Sequence, residues 1–158
     1  LGERRTEEIV RGWVANLATD VFSNDTKLIE AIEAGQCQVG IVNTYYFGRL
    51  QKENPDIPVA LFWPGADTGG VHVNVSGAGV TRHAKNPDGA IALLEWMSQP
   101  AAQKLLGGEN MEYPANPSVP AHPMVMAWGE FSASPMNVAG AGLYQADAVK
   151  LMDRAGYR

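Results

Sequence analysis

A four-residue apolar run, Val39-Gly40-Ile41-Val42, lies between a helix stop at Gly35 and a helix start at Asn43-Thr44. A short run rich in Val and Ile, bounded by helices, fits a strand buried on both faces. Such strands belong to parallel sheets covered by helices. Upstream, Ile9, Val10, Trp13, Val14 and Leu17 recur at three-to-four spacing and predict a helix over residues 6–18. Glu3, Glu7 and Glu8 stand in its first turns, where the helix dipole favours acids. A second helix is expected over residues 26–34, with Leu28, Ile29 and Ile32 inward and caps available in Ser23-Asn24-Asp25.

Beyond the run, a helix starting at Asn43 or Thr44 is stopped by Asn54-Pro55-Asp56. Residues 58–63 (PVALFW) read as a second strand. Val71-His72-Val73-Asn74-Val75 alternates as a half-exposed third strand does, then gives way to Ser76-Gly77-Ala78-Gly79. Asn86-Pro87-Asp88 opens a helix that runs to Ser98, with Asn as cap and Pro in the first turn. A short helix over residues 101–106 should end at Gly107-Gly108. Residues 111–124 hold four Pro and read as a loop or strap, and a last helix spans residues 137–155. The order is α/β in character, with helices packed on a small, mostly parallel sheet. Three strands are few for a self-sufficient α/β domain, which suggests a piece of a larger fold.

The charge balance narrows function. Twelve Lys and Arg against 17 Asp and Glu argue against a nucleic-acid partner, which needs a basic face. No stretch approaches the roughly 20 consecutive apolar residues of a membrane-spanning helix. One cysteine, Cys37, excludes an internal disulfide framework and a multi-Cys zinc site. It reads as a small buried residue beside a strand. Trp13, Trp63, Trp96 and Trp128 read as core. His72, His83 and His122 lack metal-ligand spacing. No G-x-S-x-G elbow or H-E-x-x-H pair is present, so a small hydrolase ranks below a binding protein.

Tyr45-Tyr46 is the candidate site. It follows a strand and opens a helix, where ligands of open α/β sheets bind. A free Tyr has a pKa of about 10, so only a metal or a strong positive field ionises it at neutral pH. A phenolate is a hard anionic donor suited to a hard cation such as Fe³⁺. Two adjacent tyrosines also serve as a packing or surface pair. Arg49 falls about one turn after Tyr45 and is either a charge facing the site or a solvated helix arginine.

The run GQCQVGIVNTYYFGRL (residues 35–50) resembles the tandem-tyrosine segment of the ferric-iron-binding periplasmic proteins of ABC transporters. RGWVANLATDVFSNDTKLIEAIEAG, VHVNVSGAGVTRHAKNPDGAIALLEWMSQPAAQ, NMEYPANPSV, AWGEF and LYQADAVKLMDRAGYR extend the resemblance along the chain. It implies the C-terminal portion of a two-lobed (type II) periplasmic binding protein. Residues 1–74 and 125–158 would form the C-terminal lobe, and residues 75–124 the hinge crossing and part of the N-terminal lobe. Tyr45 and Tyr46 would be phenolate ligands of Fe³⁺. Asn43, and Arg49 behind the pair, would meet a synergistic anion such as carbonate or phosphate. The implied partners are an inner-membrane ABC permease and the missing N-terminal half, which carries further ligands. The implied location is the periplasm. A chain that opens on Leu1 and resembles one half of the family reads as a processed, trimmed or fragmentary one. A periplasmic binding protein for an organic or anionic ligand is the alternative.

Overall fold

A computed structural model describes residues 1–157. The chain divides into two compact units. A terminal unit joins Leu1–Val42 to the segment from Pro135 onward, and a central unit spans Asn43–Ser134.

The terminal unit holds three helices: α1 (Glu3–Ala15), α2 (Asp25–Glu33) and α7 (Val138–Ala155). The stripe on α1 is covered in part, with Val10 buried, Ile9 and Val14 half-buried, and Trp13 and Leu17 exposed. Val10 is buried with Leu151 and Ala155 of α7, and Tyr157 packs against them. Around this contact Arg154 donates to Glu3 at 2.7 Å and to Glu7 at 3.0 Å. Arg11 donates to Glu7 at 2.6 Å and to the Arg154 carbonyl at 2.9 Å. Asn24 caps α2 by accepting from the Lys27 N–H. The α2 helix buries Ile29 and Ala31.

The hydrogen bonds from Arg11, then those from Arg154, hold the Glu7 carboxyl below its ordinary value of 4.5. A group whose folded value is depressed stabilises the fold above its unfolded value and loses that contribution as pH falls through the folded one. The α1–α7 contact should therefore weaken as pH drops below about 4.5. Glu7→Gln should flatten that part of the profile of melting temperature against pH, and more so at low salt. An unchanged acid limb in this variant would exclude Glu7 as its source.

The central unit contains α3 (Thr44–Glu53), a 3-10 turn at Ala66–Thr68, α4 (Pro87–Met97), α5 (Pro100–Asn110) and the four-residue α6 (Pro123–Met126). Asn86 caps α4 by accepting from the Gly89 N–H, as the Asn-Pro-Asp signature predicts. The α5 helix does not stop at Gly107-Gly108. Gly107 is buried, and a Cβ there would lie 3.1 Å from the Glu112 carbonyl oxygen, so this glycine admits the returning chain at close range. The stop falls instead at Met111, in the left-handed region with φ 58° and its N–H on the Gly107 carbonyl. Gln103 pins the strap that follows: its carbonyl accepts from Ala115 and Asn116, and its amide donates to the Met97 carbonyl.

The expected parallel sheet is absent: no strand forms among the described residues. The sole bridge there is a parallel one between Val71 and Ala133. Val71 donates to the Ser132 carbonyl and accepts from Ser134, both at 2.8 Å. The reason is a lack of neighbours. A buried parallel strand needs a ladder partner for its backbone groups and a cover for its side chains. The segments over residues 39–42 and 58–63 have no ladder partner among the described residues, and Val39, Ile41 and Phe62 stand more than four-fifths exposed. Two of the four tryptophans also depart from expectation, since Trp13 and Trp96 are half exposed rather than core.

Candidate functional site

Tyr45 and Tyr46 occupy the first turn of α3, after Asn43 at the N-cap. The Asn43 carbonyl accepts from the Tyr46 N–H at 3.2 Å, which closes that turn. Its side chain makes no cap hydrogen bond. Consecutive helical residues point about 100° apart. Even so, the two rings meet, with centroids 4.4 Å apart and planes at 35°. Both tyrosines are half-buried.

Arg49 lies four residues beyond Tyr45 and three beyond Tyr46, the two spacings that place side chains on one helix face. Its guanidinium carbon is 5.2 Å from the Tyr45 ring centroid and 5.5 Å from that of Tyr46. A cation over an aromatic face at this range is attracted by the ring quadrupole, by about 0.5–1 kcal/mol at an exposed site. Arg49 is exposed, and its guanidinium lies near both rings. The candidate residues Asn43, Tyr45, Tyr46 and Arg49 thus share one end of one helix.

The opposite face of α3 is anchored. Phe47 and Gly48 are buried. A Cβ on Gly48 would lie 2.5 Å from the Met111 Cβ and 2.9 Å from the Trp128 ring, so the helix approaches both as only glycine allows. Trp128 packs against Phe47 at 6.0 Å and meets Tyr113 edge-on at 6.4 Å. Phe131 joins Tyr113 to Trp63. Burial among these groups raises the pKa of Tyr113. This floor went unread in the sequence. A glycine inside an otherwise helical run is the signal that could have announced a close approach there.

His122 caps α6, its Nδ1 accepting from the Met124 N–H. Among the described residues no group of three or more His, Cys, Asp or Glu is placed to hold a metal ion.

Residues 4–133 match the family model described as bacterial extracellular solute-binding protein. The chain belongs to that family. Among its relatives, iron uptake protein A2 of Synechocystis is 42% identical over 165 residues, covering 99% of this chain and 48% of its own length. The Fe(3+)-binding periplasmic protein of Serratia marcescens is 25% identical, covering 98% of this chain and 46% of its own length. The chain therefore spans about half the length of the curated relatives it matches. The Trichodesmium protein (IdiA, FutA), solved in complex with iron and citrate, superposes with a TM-score of 0.91 at 38% identity. That match covers 99% of this chain and 52% of the Trichodesmium chain. The chain therefore shares its fold with about half of the Trichodesmium protein, and among the described residues it does so by helices and segments without a ladder.

Proposed function

We propose that this chain is the tyrosine-bearing part of a periplasmic protein that binds Fe³⁺ for uptake through an ABC transporter. The observation that carries the reading is the contact between Tyr45 and Tyr46 at the start of α3, with Arg49 over both rings. Ionised, the two phenols would present adjacent hard oxygens to a hard cation. The Arg49 guanidinium and the N-terminal end of the helix would offset part of the negative charge so gathered. Asn43 and Arg49 would meet the synergistic anion, carbonate or phosphate, and the citrate of the Trichodesmium complex adds a third candidate. The names of the relatives support iron as the cargo and the periplasm as the place. The role is binding and release to an inner-membrane permease, not catalysis.

In the whole protein, residues 1–74 and 125–158 would form the C-terminal lobe, with residues 75–124 crossing to the other. The segments over residues 39–42 and 58–63 would gain ladder partners from parts beyond this chain. Two phenolates and one anion leave an octahedral shell open, so the remaining ligands would come from the N-terminal half.

The test is a visible-absorption titration with ferric citrate at neutral pH, on this chain and on the chain with its N-terminal half restored. The restored protein should give a broad phenolate-to-iron charge-transfer band that saturates, and this chain alone a weak band or none. No band from the restored protein would overturn iron ligation by the tyrosines and leave an organic or anionic ligand, on which tyrosines stack without colour.

A further inference from the structure

We infer that Trp128 is a positioning residue for the tyrosine pair: its indole N–H, donated to Gln51, sets the rotation of α3 about its own axis and so the direction in which Tyr45 and Tyr46 project. Apart from an exposed Lys52–Glu109 ion pair at 3.8 Å, the floor under α3 is otherwise apolar. Phe47 meets the Trp128 ring, and Gly48 presents no side chain at all. Gly48 offers no knob to fix the angle, and buried Phe47 is the knob beside it, so the packing leaves more angular freedom here than two interlocking side chains would. The bond from Trp128 Nε1 to Gln51 Oε1, 2.8 Å long and part-buried, is directional. Gln51 lies four residues beyond Phe47 and three beyond Gly48, on the face that packs.

Trp128 is itself held. Its carbonyl accepts from the Trp63 indole at 2.8 Å, and Tyr113 meets its ring edge-on. Gly129 follows at φ 86°, a turn only glycine adopts without strain. The indole is therefore a fixed post against which the helix is indexed. Side chains reach about 6 Å from a helix axis, so a rotation of about 20° moves their ends by roughly 2 Å. A binding constellation tolerates about 0.5 Å. That the pair projects toward iron rests on the function proposed above; the indexing itself does not.

The experiment uses this 158-residue chain with ¹³C-labelled tyrosine rings, the Tyr45 and Tyr46 resonances being assigned by Y45F and Y46F. Gln51→Met keeps length but not the acceptor, Trp128→Phe keeps an apolar ring but not the donor, and Gln51→Glu keeps the acceptor. Gln51→Met and Trp128→Phe should both move the two ring resonances, the double variant should move them no further than Trp128→Phe, and Gln51→Glu should leave them near the parent positions. Should Gln51→Met fold poorly, Trp128→Phe against Gln51→Glu decides the matter. Resonances unmoved in folded Gln51→Met or Trp128→Phe overturn the inference. In the protein with its N-terminal half restored, Gln51→Met should hold iron about tenfold less tightly against citrate. A restored parent that gives no charge-transfer band, beside variants that move the resonances, overturns the iron reading and leaves the indexing standing.

Discussion

Y45F and Y46F, each made in the whole protein, should lose most of the phenolate-to-iron band and at least about a hundredfold in iron affinity, roughly 2.7 kcal/mol. Changes one layer behind a metal's ligands already cost ten- to a hundredfold, so removing a ligand oxygen belongs at or beyond the upper end. The fold should survive. Phenylalanine keeps the ring, both positions are only half-buried, and Arg49 retains an aromatic face to rest on. The double variant should cost less than the sum of the singles, because rings 4.4 Å apart are not independent. Iron retention equal to the parent in both single variants would remove Tyr45 and Tyr46 from the site.

The second large effect concerns stability. Gly48→Ala should destabilise the central unit, although alanine is the better helix former by about 1 kcal/mol. A Cβ is fixed to the backbone, and the one added here would meet the Met111 Cβ at 2.5 Å and the Trp128 ring at 2.9 Å. Neither neighbour swings aside freely, since Met111 is fully buried and Trp128 is held at its indole N–H by Gln51 and at its backbone carbonyl by Trp63. Overpacking of this kind costs about 1–3 kcal/mol. Met111→Ala should cost about 2–5 kcal/mol through the cavity left by a fully buried side chain. Met111→Gly adds a test of the pair. It removes the offending Cβ and suits the left-handed backbone, where φ is 58°. Gly48→Ala should therefore cost less in the Met111→Gly background than in the parent, the Trp128 contact at 2.9 Å remaining in both. Urea midpoints for the four proteins of this cycle measure the coupling. Equal costs of Gly48→Ala in both backgrounds would show that the two residues do not compete for space.

Helices with local signals were legible. The caps Asn43, Asn86 and Asn137 and the stop at Asn54 place α3, α4 and α7 within a residue or two of where they run. The end of α5 was not, because Gly107 serves the returning chain rather than the helix end, and a glycine's reason for being small is set by what approaches it. The expected strands had the right composition but lack partners, and a strand, unlike a helix, cannot satisfy its backbone alone. Within the site, Tyr45 and Tyr46 were legible as residue types and Arg49 as a spacing. Trp128 was not, since its bond to Gln51 joins positions 77 residues apart and nothing local announces it.

The docking of α1 on α7 has a consequence for the order of folding. Its hydrogen bonds join residues 143 to 151 positions apart, so the loop closed by this contact holds most of the chain. Closure entropy must be paid before such contacts return anything. The central unit is continuous in sequence and can collapse first, bringing the flanking segments within reach. The α1 helix precedes the central unit in sequence yet would wait, its apolar stripe uncovered, until α7 has docked.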